Sequence, residues 1–412
     1  MLRSTERAGG RTAAVALVIV VVFLDSLAQS ISFPVLPRLA QRLLGGDMAQ
    51  AARWTGYLEV AWAAPQFVAA GILGRLSDRF GRRPVIVVSM LFVGVELVMN
   101  ALAPNIGWLM AGRVLCGVTC GGQAAAMAYV ADVTAPEDRA RRFGWVSAAI
   151  WSAVTIGPAL GGLSAGLSLR APFWLAAAMS GAAALWGLLA LPESLPADRR
   201  AAPDWRGLVP LSGLGLLGRG GVAPLAAALF FTWLAFQAKD NMLVLYTAHR
   251  YGWSALDFGL FCAVLGPASI AVQAVGAGWA ARRFGERVAA LGGLALQVAG
   301  LVAMGLAAVS PWFWAANLPI VLGGVAGPAI QALLSARVGE DEQGRLQGAV
   351  AAIASLTSAT APIALTQLFA WSIAAGRAPA WSGLTMFLAA GFTVVALGLA
   401  GAGGRRSARP TP

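Results

Sequence analysis

Residues 74–84 read Gly-Arg-Leu-Ser-Asp-Arg-Phe-Gly-Arg-Arg-Pro, a charged turn between two long apolar stretches. A second turn at residues 278–287, Gly-Trp-Ala-Ala-Arg-Arg-Phe-Gly-Glu-Arg, repeats its glycine, phenylalanine and arginine frame nearly half of the chain later. The two copies differ in charge, because Asp78 aligns with Arg282 and Arg82 aligns with Glu286. An internal repeat of this length between hydrophobic segments predicts two related halves, each a bundle of membrane helices.

The composition is that of a membrane protein. Of the 412 residues, 58% are hydrophobic and 12% are charged, whereas a soluble domain carries about a quarter charged residues. Crossing a bilayer takes about 20 apolar residues of helix, and twelve stretches meet this requirement, at residues 13–35, 54–74, 84–103, 108–130, 143–165, 172–191, 222–246, 256–280, 287–309, 312–334, 346–371 and 380–402. We predict an all-α membrane protein with twelve transmembrane helices in two pseudo-symmetric six-helix bundles, residues 1–191 and 222–412, joined by a central cytoplasmic linker at 192–221.

The positive charge follows this topology. The formal net charge is +12, and 22 of the 30 Lys and Arg residues fall on one side when twelve spans are counted from the N-terminus. An excess of basic residues marks the cytoplasmic side of a membrane. We therefore predict that both termini are cytoplasmic, in the inner membrane of a bacterium, and that the basicity reflects topology rather than binding to nucleic acid.

Few residues suit catalysis or a bound cofactor. The only histidine, His249, lies at the outer end of the seventh predicted helix, and the chain has no Walker A sequence. Residues 213–218 match a dinucleotide-binding pattern but lack the strand–helix unit that it requires. The cysteines fall inside predicted spans, which argues against a disulfide framework. We predict a protein that is not an enzyme and that holds no metal or cofactor.

Several charged residues lie inside predicted spans and away from their ends, namely Asp25, Glu59, Glu96, Arg113, Lys239 and Asp240. A charge at the bilayer centre costs about 3 kcal/mol, so such residues tend to pair, face the bundle interior or line a watered path. The first four lie at similar depth in the N-terminal half, which favours one shared site. Asp25 and Glu96 could bind and release protons there, with Arg113 as their permanent counter-ion. The alternative is a static buried ion pair that fixes helix register, and Glu59 could instead reach the outer interface.

The turn at 74–84 also suits a gate on the cytoplasmic side. Gly74 and Gly81 allow tight turns and close helix contact. Asp78 can pair with a helix N-terminus or with the arginines around it, which are Arg79, Arg82 and Arg83. The alternative is that the basic run serves topology alone.

The fifth predicted helix contains Gly-Pro-Ala-Leu-Gly-Gly at residues 157–162. Pro158 removes a backbone hydrogen bond, and Gly157, Gly161 and Gly162 let a neighbouring backbone come close, so we expect this helix to bend against a neighbour. Polar and aromatic side chains at membrane depth are candidates for a substrate cavity; they include Gln66, Gln237, Gln273, Gln297, Trp62 and Trp151.

These motifs resemble those of the major facilitator superfamily, and more closely those of its bacterial tetracycline/proton antiporter branch. The superfamily motifs are the turn at 74–84, Arg113 with Gly117, and Gly157-Pro158 with Gly161-Gly162. The motifs that resemble those of the branch are Leu24-Asp25 with Pro34-Val-Leu-Pro37, Phe143-Gly-Trp145, Tyr251-Gly-Trp253 and Gln343-Gly-Arg-Leu-Gln-Gly348. The resemblance covers essentially the whole chain and implies the major facilitator fold.

The resemblance also implies functional positions, which are Asp25, Gln66, Asp78, Arg82 or Arg83, Arg113 and Gln273. Glu96 stands where the branch has an aspartate in helix 3. Two departures concern the second half, because Ser269 stands where the branch has a histidine in helix 8 and Gln297 where it has an aspartate in helix 9. We therefore expect proton coupling to rest on the N-terminal half.

These features predict proton-driven efflux of a small amphipathic drug or metabolite by a monomer that exposes its cavity to each side in turn. Its partners would be the lipid bilayer, protons and the small-molecule substrate, with the proton gradient as the energy source. One alternative is a symporter or facilitator for a small nutrient such as a sugar, which the helix-5 Gly-Pro and the intramembrane carboxylates disfavour. A remoter alternative is a membrane sensor that transports nothing.

Overall fold

The computed structural model describes residues 2–135, 138–196, 198, 200, 222–339, 342–374 and 379–404. Within these ranges the regular secondary structure is helical, with no strand. The helices before the predicted linker are α1 (Leu2–Ile31), α2 (Leu36–Leu43), α3 (Met48–Phe80), α4 (Arg82–Leu102), α5 (Ile106–Thr119), α6 (Gly122–Val133), α7 (Arg139–Ala165) and α8 (Ala171–Ala190). The helices after it are α9 (Ala223–Tyr251), α10 (Ala255–Ala271), α11 (Ala277–Phe284), α12 (Glu286–Leu306), α13 (Ser310–Leu322), α14 (Ala326–Ser335), α15 (Gln343–Ser372) and α16 (Leu384–Gly404).

All twelve predicted stretches are helical, which confirms the fold class. Ten helical segments of the described chain are long and apolar enough to cross a membrane. The two predicted spans outside this set are those of α3 and α9, which are 33 and 29 residues long. Both carry charged side chains in their interior, such as Glu59 in α3 and Lys239 in α9. These two helices are long enough to cross a membrane, and their polar residues account for their absence from the set.

Three predicted spans are interrupted where the sequence indicated a continuous helix. The chain leaves regular helix at Cys120 and Gly121, between α5 and α6. A π-helical turn at Val272–Gly276 separates α10 from α11, and a 3₁₀ turn at Gly323–Val325 separates α13 from α14. Glycine lies at each interruption, where its conformational freedom weakens the helical ladder.

Side-chain caps explain where two helices begin. Asp47 precedes α3, and its Oδ1 accepts the backbone N–H of Gln50 at 3.0 Å. Hydrogen bonding from Gln50 holds the pKa of Asp47 below its usual value, so this cap is charged at neutral pH. Asn105 precedes α5 and accepts the N–H of Trp108 at 3.1 Å. Both are standard N-caps, which satisfy donors that a helix leaves free in its first turn.

The chain forms two compact units, and each unit includes a short segment from the other half of the sequence. Unit one comprises residues up to Gly45, Ala61–Val209 and Ala255–Ala263, and the remaining residues form unit two. The start of α3 therefore packs within unit two, and the start of α10 packs within unit one. Most of the predicted linker, 192–221, lies outside the described residues, and the predicted bundles 1–191 and 222–412 stay a prediction.

Each unit has its own apolar core. In unit one, α1 contributes Val18, Val21 and Val22, which pack with Ile86 and Met90 of α4 and with side chains of α6, α7 and α8. In unit two, side chains of α9, α12, α14, α15 and α16 form the core, and its largest buried members are Leu225, Leu229, Leu294, Ile330, Leu334, Leu346 and Ile353. The two cores hold the helices that carry the polar residues described below.

The two copies of the repeated turn share one backbone conformation. Gly81 lies between α3 and α4 with φ 107° and ψ 160°, and Gly285 lies between α11 and α12 with φ 82° and ψ 152°. A side chain rarely tolerates positive φ of this kind. The glycine repeated in the sequence is therefore the residue that lets each pair of helices reverse direction within a single position.

A substitution at Gly293 of α12 can test how tightly the helices of unit two are packed. A Cβ at Gly293 would lie 2.9 Å from the backbone nitrogen of Ala326 and 3.0 Å from the carbonyl oxygen of Gly323, whereas a Cβ at Gly292 would meet nothing within 4 Å. We expect Gly293→Ala to destabilise the protein by about 1–3 kcal/mol through overpacking, and Gly292→Ala to leave it unchanged or slightly more stable. Thermal unfolding of the detergent-solubilised variants measures this, and equal midpoints for the two variants would contradict the packing.

Candidate functional site

A buried ion pair joins α4 to α5 in unit one. Arg113 Nη1 lies 3.8 Å from Glu96 Oε1, and the side chains are 13% and 4% exposed. Both residues lie well inside helices that qualify as membrane spans. An isolated charge inside a membrane costs free energy, and each side chain of the pair lowers this cost for the other.

Neighbouring residues hold this pair in place. Asn100, one turn further along α4, donates from Nδ2 to Glu96 Oε1 at 2.8 Å. A Cβ on Gly112 would lie 3.3 Å from Glu96 Cγ and 3.3 Å from Asn100 Oδ1, so the glycine allows α5 to approach α4 closely. The Arg113 guanidinium also lies 6.0 Å from the centre of the Trp62 ring, within the range of a cation–π contact. The acid is thus hydrogen-bonded as well as paired.

Asp25 is not part of this pair. Its Oδ2 accepts from Gln29 Nε2 at 2.9 Å, and its Oδ1 is buried without a hydrogen-bond partner among the described residues. Gln29 Oε1 lies 3.8 Å from Cys120 Sγ. Cys120 is seven residues beyond Arg113, which corresponds to about 10 Å along a helix, so the Gln29 contact lies away from the ion pair. Of the two acids Asp25 and Glu96, the structure pairs Glu96 with Arg113.

Glu59 belongs to the first part of α3, which packs within unit two, whereas the other three charged residues of the predicted network belong to unit one. Of these four residues, the structure pairs Glu96 with Arg113. A periodicity argument could not foresee this, since depth along a helix does not say which neighbour a side chain faces.

A second polar cluster surrounds the turn at Gly81. Arg82 lies 2.6 Å from Asp78 and 3.1 Å from Asp132 at the end of α6, and it also donates to Ser77 Oγ at 3.2 Å. The Arg82 side chain is 12% exposed, whereas its partners Asp132 and Asp78 are 25% and 50% exposed, so the contact lies at the edge of the solvent. We call Asp78, Arg82, Asp132 and Glu193 the Arg82 cluster.

Glu193 caps the start of α4 within this cluster. Its Oε1 accepts the backbone N–H of Arg82 at 2.9 Å, and its Oε2 accepts that of Arg83 at 3.3 Å. A Cβ on Gly81 would lie 2.7 Å from the carboxyl carbon of Glu193, so a side chain at this position would push the cap away. The negative carboxylate also complements the positive end of the helix.

The structure separates the members of the predicted gate. Arg83 donates to the carbonyl oxygen of Leu188 in α8, whereas Arg79 only stacks on the neighbouring Phe80, with 5.2 Å to the ring centre. Gly74 lies inside α3, and a Cβ there would meet nothing within 4 Å. The expectation that Gly74 permits a tight turn or a close contact is therefore wrong, because the turn is made by Gly81 alone.

Asp132 and Glu193 are the residues of this cluster that sequence reasoning missed. Both lie outside the charged turn, 50 and 111 residues after Arg82. The available signal was their position, since each acid follows the end of a predicted apolar span. Here both acids contact Arg82, in the basic turn that lies at the same end of unit one.

The glycines of the fifth predicted helix make close contacts within unit one. A Cβ on Gly161 would meet the carbonyl oxygen of Ile31 in α1, and one on Gly162 would lie 2.6 Å from the Cα of Gly259 in α10. Ser30 donates to the carbonyl oxygen of Ala153, which adds a polar contact between α1 and α7. The motif therefore packs α7 against two helices, and Pro158 lies within one continuous helix, Arg139–Ala165.

The cavity candidates differ in exposure. In unit one, Trp151 is 55% exposed and Gln66 is half-buried, while Trp62 Nε1 is buried with no acceptor among the described residues. In unit two, Gln237 is buried, Gln273 is exposed in the π-helical turn, and Gln297 donates from Nε2 to the carbonyl oxygen of Gly323 at 2.9 Å. Gln297 is therefore engaged in joining α12 to the 3₁₀ turn.

Comparison with known proteins assigns the chain to a family. A family model for the Major Facilitator Superfamily matches residues 18–362. The chain belongs to the major facilitator superfamily. It is accordingly a multi-pass membrane transporter with a small-molecule substrate, and not an enzyme.

Relatives within the superfamily cover nearly the whole chain. The class C tetracycline resistance protein of Escherichia coli is 37% identical over 377 residues, which are 91% of this chain and 93% of the relative. The class G protein of Vibrio anguillarum is 34% identical over 89% of this chain and 91% of its own length. A bacterial homologue of the human lysosomal transporter Spinster has a TM-score of 0.78 at 17% identity, covering 98% of this chain and 99% of that one. The last likeness concerns the fold alone.

A double-mutant cycle tests the buried ion pair. Removing one partner leaves an uncompensated charge between helices, so we expect Glu96→Leu and Arg113→Met each to destabilise the protein by roughly 3 kcal/mol. The double variant should lose much less than the sum of the two. Thermal unfolding in detergent gives the three differences, and strictly additive losses would show that the side chains do not interact.

Glu193 offers a test of the Arg82 cluster. Replacing it by alanine removes acceptors for two N–H groups at the start of α4, which should destabilise the protein by about 1 kcal/mol. The control is Asp138→Ala, which breaks the Arg141–Asp138 pair, because those side chains are 60% and 47% exposed and such surface pairs contribute little. Unfolding midpoints that fall equally in both variants would argue against the cap.

Proposed function

We propose that the protein is a proton-coupled antiporter of the bacterial inner membrane that exports a small amphipathic drug or metabolite by alternating access. The observation that carries this proposal is Asp25, a carboxylate at membrane depth whose Oδ1 is buried without a partner among the described residues. The similarity to tetracycline resistance proteins supports drug efflux as the direction of transport. Both termini would lie in the cytoplasm, and a single chain would suffice for transport.

The two acids of unit one would then have different roles. Glu96 is neutralised by Arg113, which stays charged because guanidinium does not deprotonate in proteins. Among the residues that the structure describes, Asp25 has Gln29 as its hydrogen-bond partner and makes no ion pair. An uncompensated carboxylate inside a bilayer is costly, and a bound proton removes that cost. Asp25 would therefore carry the exchangeable proton, and Glu96–Arg113 would act as the fixed counter-charge of the bundle.

A change at Asp25 could reach the helix break in the same unit. Gln29 contacts both Asp25 and Cys120, and Cys120 stands where α5 ends and the chain restarts as α6. A neutral Asp25 can donate a hydrogen bond as well as accept one. The Gln29 amide could then turn its oxygen toward Asp25 and change its contact with Cys120. The proton would thereby bias the arrangement of α5 against α6.

The contacts of Gln297 support a proton site in unit one rather than unit two. Its Nε2 donates to the carbonyl oxygen of Gly323 at 2.9 Å. A carboxylate at that position could not donate, and the glutamine amide does not titrate. Ser269, a half-buried residue of α10, does not exchange protons either. The chain thus has no titratable group at either position where the tetracycline/proton antiporter branch has one.

Inverted membrane vesicles with an acidified lumen test the proposal. A resistance screen in an efflux-deficient host, with tetracycline among the compounds, first supplies the substrate. Adding it should release protons from the lumen of wild-type vesicles, which a pH-sensitive dye reports. Asp25→Asn should abolish the response, because the amide cannot exchange a proton, whereas Asp25→Glu should retain part of it.

Asp138→Asn is the control, since Asp138 lies at the surface in an exposed pair. Its response should equal that of the wild type. A full response in Asp25→Asn vesicles would exclude Asp25 as the proton site. Proton movement in the opposite direction would indicate a symporter, and no movement for any substrate that confers resistance would remove proton coupling altogether.

A further inference from the structure

An accessible ion pair lies near the middle of α9 in unit two. Lys239 Nζ is 2.5 Å from Asp240 Oδ1, and the two side chains are 18% and 22% exposed. The pair stands about 18 Å from the C-terminal end of α9 and about 24 Å from its N-terminal end, at 1.5 Å per residue. Charged side chains at such depth face a polar path or the bundle interior rather than lipid.

The pair and its neighbour leave more donors than acceptors without a partner. Among the described residues, Asp240 is the acceptor for the Lys239 ammonium, which has three N–H groups. The adjacent Asn241 has a buried Nδ2 that also lacks an acceptor in the described part of the chain. On the acceptor side, the second oxygen of Asp240 receives no hydrogen bond from these residues. Buried polar groups are normally hydrogen-bonded, and the buried Asn241 Nδ2 is not. Together with the partly exposed Lys239 ammonium, this donor indicates a ligand that brings oxygen acceptors.

An aromatic surface continues from the pair along the same helix. Lys239 Nζ lies 5.8 Å from the centre of the Phe236 ring, and Phe236 is 44% exposed. Trp233 meets Phe236 edge-on, with 5.6 Å between ring centres. Positions 233, 236 and 240 recur at the spacing of one helix face. The ammonium therefore lies at the end of an apolar strip whose two rings are inclined at 78° to each other.

We infer that Trp233, Phe236, Lys239 and Asp240 form a substrate-binding strip that selects organic anions with an aromatic body. The ring system would pack against the exposed Phe236 ring and beside Trp233, and a carboxylate or enolate oxygen would accept hydrogen bonds from Lys239. Asp240 would act as a positioning residue that keeps the ammonium extended in the empty site. This inference deepens the proposed function, since it names the substrate class of the same transporter.

Equilibrium binding in detergent tests the strip without any proton gradient. The probes are 9-anthracenecarboxylate and its methyl ester, which share the ring system and differ in charge. Wild-type protein should bind the carboxylate at least about tenfold more tightly than the ester, the effect of one hydrogen bond to a charged group. Lys239→Met should erase this preference, and Lys239→Arg should keep most of it.

Two further variants separate recognition from folding and from general charge effects. Lys239→Met with Asp240→Asn leaves no unpaired charge, and it should show the same lost preference with a near-wild-type unfolding midpoint. Arg250→Met removes a cation near the end of α9, where Arg250 donates to Ser382 Oγ at 3.0 Å, and it should keep the preference. No preference in the wild type, or an unchanged preference in both Lys239→Met variants, would overturn the inference.

The outcome is independent of the vesicle experiment. If the binding preference depends on Lys239 but no substrate moves protons, proton coupling fails and the strip stands. If substrates move protons while the carboxylate and the ester bind equally, the strip fails and proton coupling stands.

Discussion

The structure depends on the high cost of placing a charge among apolar helices. The two intramembrane ion pairs described above each depend on a close contact, in one case between two helix backbones and in the other between adjacent side chains. Glu96 and Arg113 meet because Gly112 leaves room between α4 and α5. Lys239 and Asp240 are neighbours on one helix and need no second element. Asp25 has no such cation, which makes it chemically different from the other buried acid of unit one.

The repeated turn has the same backbone in both units but different chemistry. Gly81 and Gly285 adopt the same positive-φ conformation. In unit one the residues after the glycine contact three acids of the Arg82 cluster. In unit two the corresponding Arg287 donates to the carbonyl oxygen of Gly401 at 3.2 Å, a contact with the backbone. The two turns thus share one geometry, and among the described residues the ionic contacts are those of the first copy.

Sequence reasoning predicted the helical class and all twelve stretches because an apolar run of about 20 residues is typical of a transmembrane helix. It also predicted that Arg113 needs a buried acid. It could not say which acid, because counting residues along the predicted spans assigned Asp25 and Glu96 a similar depth, whereas the choice depends on how the helices are rotated and shifted. It missed Glu193, whose role comes from the tertiary position of a carboxylate beside a helix start. The breaks at Cys120 and at the π-helical turn were also missed, because their hydropathy matches that of the surrounding helix.

The exchange of short segments between the two units restricts how this chain can diverge. Gly56 lies against Pro362 and Thr366 of α15, and Tyr57 accepts a hydrogen bond from Gln367 at 2.9 Å, although these partners are some 300 residues apart. The start of α10 reaches Gly162 in the same way. A recombination event that joined the first half of one relative to the second half of another would bring together unmatched surfaces at both places. We therefore expect the two halves of the sequence to change together at these contacts, although the repeated turn makes them alike elsewhere.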